Sequence, residues 1–498
     1  MGIIIRQGIK GTLVSYLGTL LGFVNMLILF PLVCTAGEIG LYRVLLDAAS
    51  FFVIFSLLGS NSTLIRFFPY FSNSLKSKGQ FMFYILLTAG VGFVIFSGIY
   101  LFFNEEILQP FINKSSDLIS YKYYLLPLAL FLLLFNVFSA YSRSLLKIVA
   151  PKFLKEVVIR LFIGIAAVLF FFNLMQFNDF IGWIVGFYGI ALLLLIGYIA
   201  NLKQLIITPG TSMFKSPQIK EMTQFGMITF LSAGSGVIVG KIDTLMLGSM
   251  EGLTNTGIYG IAFYIGAFIQ LPRRSLSDIS APLIASGYKQ GDMEKVSTIY
   301  KKSSINLLII GSFILTLIWT NIDAIFSLIP HSEMFIQGKY VVLFIGVGKL
   351  FDMAMGLNHE IITNSKIYKW NILLIPLLAV TTIATNLVFI PLYGINGAAI
   401  ASLLSIFSIN LLRYFLILVK LKLQPLSIQT LKALLIAGIT YLAGNVIPGM
   451  DIPILEIIIK SIAMSAIFAS LVLVLKPSED ISQLIMNSWK KIMTRNKV

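Results

Sequence analysis

The sequence predicts an all-α integral membrane protein with about fourteen transmembrane helices. Three observations lead there. Of 498 residues, 57% are hydrophobic and 12% charged, with a mean hydropathy of +0.92. A soluble chain carries roughly a quarter charged residues, so too little polar surface remains here to meet water on all sides. Apolar runs long enough to cross about 30 Å of hydrocarbon recur from end to end. Between them, basic residues collect in every second connection.

The expected spans are 11–33, 44–65, 80–103, 122–141, 155–174, 180–200, 222–241, 256–273, 304–320, 339–360, 370–390, 396–419, 430–447 and 453–475. Lipid offers no hydrogen bonds, so each run must satisfy its own backbone as a helix. Runs such as Phe170-Phe171-Phe172 and Leu192 to Leu195 lack the alternation of a barrel strand. The short basic start followed by a long apolar run reads as a retained first helix, not a cleaved leader. The segment 274–303, with Gly291-Asp292 in it, reads as an amphipathic or broken helix at the inner surface. In the tail, Ile481, Leu484, Ile485, Trp489 and Ile492 recur at helical spacing beside Lys490 and Lys491, the pattern of an interfacial helix.

Charge sets the orientation. With the N-terminus inside, about 28 of the 37 Lys and Arg residues fall in cytoplasmic segments. These include Arg66, Arg143, Lys152, Lys155, Arg273, Arg274, Lys420 and Lys422. Outer segments hold Arg43, Lys114, Lys122 and Lys339, with Glu38, Glu105, Glu106, Asp179 and Asp323 in outer turns. Both termini are therefore expected in the cytoplasm. The net charge of +16 is accounted for by this rule and by anionic lipid headgroups. No basic run sits in a folded soluble segment, so nucleic acid is not an expected partner. A single cysteine, Cys34, leaves no internal disulfide, and with His331 and His359 as the whole histidine complement a metal cluster is not expected. No phosphate loop, HExxH or CxxC occurs, so no catalytic constellation or cofactor is expected.

A faint repeat runs through the chain. Gly40-Leu41-Tyr42 opens the second span and Gly257-Ile258-Tyr259 the eighth, six helices apart. Two six-helix lobes in parallel repeat plus two further helices would make fourteen.

These residues resemble a known family. Pro391-Leu392-Tyr393-Gly394-Ile395-Asn396-Gly397-Ala398-Ala399-Ile400-Ala401 is similar to the helix 11–12 turn of polysaccharide exporters. Lys241-Ile242-Asp243-Thr244-Leu245-Met246-Leu247-Gly248, followed by Gly257-Ile258-Tyr259, resembles their helix 7–8 junction, and Arg66-Phe67-Phe68-Pro69 their basic exit from helix 2. The family is the Wzx-type oligosaccharide-lipid flippases of the multidrug/oligosaccharidyl-lipid/polysaccharide exporter superfamily. The resemblance implies two lobes in a V shape, over 1–210 and 211–422, with the last two helices and a cytoplasmic tail over 423–498. It implies export of undecaprenyl-pyrophosphate-linked sugar repeat units across a bacterial inner membrane for surface polysaccharide or O-antigen assembly. A lipid-linked oligosaccharide, membrane lipids and polysaccharide polymerase or assembly proteins would be the partners. An ion-coupled drug/cation antiporter, a peptidoglycan-precursor flippase and a polysaccharide polymerase or ligase are the competing readings. The last is disfavoured because no outer loop exceeds about 25 residues.

A charge inside a span needs a reason. Glu156/Arg160, Glu456/Lys460 and Arg43/Asp47 are four apart and Lys349/Asp352 three apart, spacings that let each pair neutralise itself. Arg66, Lys241, Arg413, Lys349, Arg273 and Arg274 are the candidate substrate cations, since a pyrophosphate crossing hydrocarbon needs Arg forks and Lys charges. Lys241 and Asp243, two apart, cannot face one neighbour. Asp243 and Asp352 are candidates for H+ or Na+ coupling, because a buried carboxyl takes up a proton more readily than an exposed one. Tyr16, Tyr42, Tyr259 and Tyr264 are candidates for stacking on sugar rings. Gly8, Gly11, Gly18 and Gly22 line one side of the first helix and are expected to let it bend.

Overall fold

The computed structural model describes residues 2–72, 74–210 and 218–495, and the regular structure among them is helical. Gly8, Trp489, Lys490, Lys491 and Ile492 have side-chain positions outside the description. Nine stretches of the described residues are long and apolar enough to cross a membrane. They are Leu13–Val33, Ala36–Leu57, Leu75–Phe102, Lys122–Ser144, Phe177–Asn201, Met293–Thr320, Ser332–Ala354, Tyr368–Leu421 and Pro453–Leu475. At most half of each hydrophobic window is buried inside the protein. The remaining faces are apolar as well, as at Val94, Leu193, Val419 and Ile462. Such faces require lipid as their solvent. The protein is a multi-pass membrane protein.

The chain divides into two compact units, Met1–Gly260 with Ile375–Asn386, and Ile261–Leu374 with Leu387–Val498.

In the first unit, the helix Ala36–Leu57 packs on Leu75–Phe102, Leu125–Ser144 and Ile219–Met250. It begins eight residues before the expected span at 44. Thr35 and Glu38 close a capping box there, with Glu38 Oε2 accepting from Thr35 N at 2.7 Å. It ends at Leu57 because Leu58 and Gly59 are left-handed, at φ 47° and 76°. Arg66 therefore sits on a separate helix, Ser60–Phe71. Hydropathy continues across that break and cannot see it; the cap residues can.

The first helix, Gly2–Val24, opens into a π-turn over Asn25–Leu29 before Pro31. Proline lacks the N–H that would bond Leu27, and the wider turn absorbs the misfit. A second π-turn, Leu154–Val158, lies on the facing helix. Asn25 Nδ2 donates to the Arg160 carbonyl at 2.7 Å. Gly18 seats that neighbour, since a Cβ there would stand 2.7 Å from the Glu156 carbonyl oxygen.

Gly40 and Gly257 meet face to face. A Cβ on Gly40 would fall 1.9 Å from the Leu253 carbonyl, and one on Gly257 would fall 1.9 Å from the Ala36 carbonyl. Each glycine thus lies against the residue four before its counterpart, so the contact is reciprocal. Arg43 Nη1 extends the pattern by donating at 3.1 Å to the carbonyl of Gly260, 217 residues on.

In the second unit, Met293–Thr320 packs against Leu271–Gln290, Lys339–Ala354 and Ile428–Val446. Leu308, Ile309, Ile436, Phe468 and Val472 form one core there. The segment expected as amphipathic or broken is the helix Leu271–Gln290, stopped by left-handed Gly291 and restarted by Asp292, whose carboxylate accepts from Lys295 N at 2.9 Å. The stretch Asn371–Leu421 is two helices joined at Gly394 (φ 54°, ψ −130°). Gly397 lets the turn close, since a Cβ there would lie 1.9 Å from the Phe389 carbonyl. The tail helix Glu479–Arg495 is tied down at its start: Lys302 Nζ and Asn306 Nδ2 donate to Asp480 at 2.9 and 3.1 Å. Ile481 and Ile485 lie against the Leu308–Phe468 core.

Candidate functional site: charges within the helical units

The first unit carries a cluster built on four helices. Lys241 and Asp243, on Ile219–Met250, diverge as their spacing requires. Lys241 Nζ pairs with the buried carboxylate of Asp47. Asp243 accepts from Tyr259 Oη at 3.1 Å and from Asn386 Nδ2 at 2.6 Å. Tyr259 is thus a buried partner of an acid and not an open stacking face. Asp47, four residues from Arg43, takes its cation from another helix. Glu156 and Arg160 do pair on their own helix, at 2.8 Å, and Arg160 also donates to the Gly18 carbonyl.

Around Lys155 the charge does not balance. Lys155 feels the positive charges of Lys241, Arg143 and Arg160, and the negative charge of Glu156. Asp47 neutralises Lys241 and Glu156 neutralises Arg160. Among the described residues, Lys155 and Arg143 have no ion-pair partner, and both are exposed. Two positive charges of this group are therefore left without a described carboxylate to neutralise them. The sequence reading took both residues as markers of orientation, because a Lys near a span end looks the same in either role. Their convergence across two helices carries no local signal.

Arg66 lies apart from that group. Its guanidinium is half exposed, pairs with Glu221 at 3.2 Å and stacks 4.3 Å over the Phe225 ring.

The second unit holds a buried polar network. Asp352, on Lys339–Ala354, lies 3.1 Å from Arg273 Nε and accepts from Gln270 Nε2 and Asn410 Nδ2, each at 3.1 Å. Arg273 Nε does not aim at the carboxylate well enough to count as a hydrogen bond, so that contact is ionic. Arg273 Nη2 reaches Glu360 at 3.8 Å, and Ser277 Oγ donates to Glu360 at 2.5 Å. Asn358 Nδ2 donates to Asn410 Oδ1 at 2.7 Å. Lys349 and Arg413 act on Asp352 through their charge. Arg413 is 9% exposed, and its Nε is buried without an acceptor. It makes no ion pair or hydrogen bond among the described residues. Arg274 is exposed and takes no described part in the network. The structure thus brings Arg273, Lys349, Asp352 and Arg413 together. Sequence reasoning missed Glu360, Gln270, Asn410 and Asn358, neutral or acidic groups whose only signal was being polar within or beside apolar runs.

Neither cluster holds a nucleophile–base pair, and no group of three metal-ligating side chains occurs among the described residues. What both offer is cation: two charges unneutralised in one unit, and a buried guanidinium with no acceptor in the other.

The model of the family described as Polysaccharide biosynthesis protein matches residues 5–272, which include the charged residues of the first unit's cluster. The chain belongs to that family. Solved structures agree on the fold. The lipid II flippase MurJ, in an inward closed conformation, aligns with a TM-score of 0.73 at 17% identity, over 93% of this chain and 100% of that one. An inward-facing multidrug resistance MATE transporter aligns at 0.60 and 13% identity, over 81% and 93%. A MOP superfamily transporter from Pyrococcus furiosus, described by a reversed polarity of its binding pocket, aligns at 0.56 and 14% identity, over 83% and 94%. No curated protein sequence matches the chain.

Proposed function

We propose that this family member is a flippase that moves undecaprenyl-pyrophosphate-linked oligosaccharide repeat units from the cytoplasmic to the outer leaflet. It would serve surface polysaccharide or O-antigen assembly in a bacterial inner membrane. The observation that carries this reading is the unneutralised pair Lys155 and Arg143 beside Lys241 and Arg160. A pyrophosphate brings the charge such a group lacks, and a Lys or Arg beside hydrocarbon is worth most when a phosphate meets it. The buried, acceptor-free Arg413 supports the same reading from the second unit. The lipid tail stays in the bilayer while the headgroup passes. The reading keeps fourteen spans, lobes over 1–210 and 211–422, both termini in the cytoplasm, and a polymerase or assembly protein as downstream partner.

Coupling to H+ or Na+ is assigned to Asp243 and Asp352. Asp243 accepts from the neutral Tyr259 and Asn386, whereas protonation of Asp352 would have to release Arg273.

The test is a Lys155→Gln, Arg143→Gln double variant at matched membrane abundance in a strain lacking the native gene. Surface polysaccharide should fall about tenfold or more, the effect of losing roughly one charge-assisted phosphate contact. Undiminished polysaccharide would remove the cluster from the mechanism. A second reading, flipping of the peptidoglycan precursor, is favoured by the alignment with a lipid II flippase over the whole of that protein. Growth rescue of cells depleted of their own lipid II flippase would support it over the first.

A further inference from the structure

The first unit contains a second feature that the charged cluster does not use. A pocket of about 560 Å³ opens among the helices Ala36–Leu57, Leu75–Phe102, Asn104–Ile112 and Ile219–Met250. Its walls are almost wholly apolar, with Val44, Phe51, Phe55 and Phe111 among them. Three polar residues interrupt them, Tyr100, Lys122 and Ser249, the last of which donates to the Met246 carbonyl. Tyr100 is 8% exposed, and its Oη is buried with no hydrogen-bond partner. Lys122 also lines the pocket, and no carboxylate lies within ion-pair distance of it among the described residues. Its described contact is the Tyr123 ring, at 5.4 Å.

A buried phenol without an acceptor costs free energy that an arriving acceptor would recover. An unpaired ammonium beside an apolar pocket selects a ligand with an anionic head and a hydrocarbon body. We propose that this pocket seats one acyl chain of an anionic phospholipid, with Tyr100 donating to an ester or phosphate oxygen and Lys122 pairing with the phosphate. The volume suits a single acyl chain and is too small for a whole long polyprenyl chain, which decides between the two lipids a cell membrane offers here. On the orientation expected from charge, Lys122 is an outer residue, so the lipid would enter from the outer leaflet. Its chain would lie along Val44–Phe55 and Leu245–Ser249, beside the residues that hold Asp47 and Lys241. The proposal does not depend on the transported substrate.

The test uses the full chain in nanodiscs of phosphatidylcholine doped with a photoactivatable lipid whose diazirine sits near the acyl terminus. One arm uses phosphatidylglycerol, the other phosphatidylcholine, with undecaprenyl phosphate as competitor in both. Cross-links should map to peptides containing Phe51, Phe55 or Phe111 and favour phosphatidylglycerol about fivefold, the preference one lysine gives near a membrane surface. Lys122→Gln should erase that preference while leaving size-exclusion behaviour unchanged, and Tyr100→Phe should lower labelling by both lipids. Ala48→Phe should block labelling by filling the pocket; if that variant fails to fold, Lys122→Gln still decides. Equal labelling by the two lipids in the parent protein, an unchanged preference in Lys122→Gln, cross-links elsewhere, or displacement by undecaprenyl phosphate at lower concentration than by phosphatidylglycerol would each overturn the proposal.

Discussion

Lys155 and Asp352 show how the same kind of residue is handled in two ways. Asp352 is surrounded by a cation and two amides, so its charge is spent inside the protein. Lys155 has three like charges and one carboxylate nearby and, among the described residues, no ion-pair partner. Changing the charge separates the roles. Asp352→Asn should impair folding and lower membrane abundance, since it leaves Arg273 and Arg413 facing each other with less compensation; loss of one partner in a buried pair costs about 3–5 kcal/mol. Lys155→Glu should leave abundance unchanged and abolish transport, and fluorescence-detected size exclusion beside a polysaccharide assay checks both. Cys34 offers a simpler measurement. It is 7% exposed, and burial, helped by the nearby charge of Glu38, pushes its thiol well above the usual range. Thiolate is the reactive form, so native protein at neutral pH should react with maleimide about a hundredfold more slowly than an exposed engineered cysteine. Mass spectrometry before and after denaturation reads this, and slow labelling would let cysteine mapping proceed on the natural background. The sequence made Lys241, Asp243, Arg273, Asp352 and Arg413 visible, since a charge in an apolar run stands out. It could not say which charges are already answered. Asp47, spaced to meet Arg43 on its own helix, also draws the cation of Lys241 from another helix, a partner that spacing cannot reveal.

At the scale of elements, glycines divide into those that fill a space and those that only sit in one. Gly257 and Gly397 would each place a Cβ 1.9 Å from a backbone carbonyl, whereas Gly98 has nothing within 4 Å. Gly257→Ala and Gly397→Ala should each destabilise by about 1–3 kcal/mol, the usual cost of overpacking. Gly98→Ala should be neutral or stabilising by up to about 1 kcal/mol, from helix propensity. Thermal midpoints in detergent would show the contrast, and equal shifts in all three would refute it. The tail helix adds a pH test. The hydrogen bond from Lys302, then that from Asn306, holds the Asp480 carboxyl below its ordinary range. A depressed carboxylate stabilises docking above its unfolded value of about 3.9, and that contribution disappears as pH falls through the lower, folded value. Docking should therefore hold at neutral pH and loosen only in strong acid. Asp480→Asn should loosen it at pH 7 and speed tryptic release of the tail about two- to fivefold, as befits a partly exposed pair. Gly291-Asp292 made one of these boundaries legible, whereas the Thr35 and Glu38 cap lies eight residues before the start that hydropathy alone suggests. The π-turns at Asn25–Leu29 and Leu154–Val158 were not legible, because they arise from how two helices fit each other.

For the whole molecule, the composition was decisive: a chain with this little charge has lipid-facing helices or does not fold. The nine apolar stretches coincide with ten of the fourteen expected spans, Tyr368–Leu421 covering two through its break at Gly394, and leave 155–174, 222–241, 256–273 and 430–447 without one. The break was foreseeable from the Tyr393-Gly394-Ile395-Asn396-Gly397 run. The weak motif Gly-x-Tyr, easily dismissed as chance, has turned out to mark a real contact. Cysteines introduced at Glu105 and at Lys476 should label from opposite sides of sealed vesicles if the charge-derived orientation is right, and labelling of both from one side would refute it.

The meeting of Gly40 with Gly257 has a historical reading. A surface that fits its own equivalent is what a twofold axis produces when two identical chains associate. Duplication and end-to-end fusion of a chain that once paired with its own copy would leave a seam of this kind inside one polypeptide.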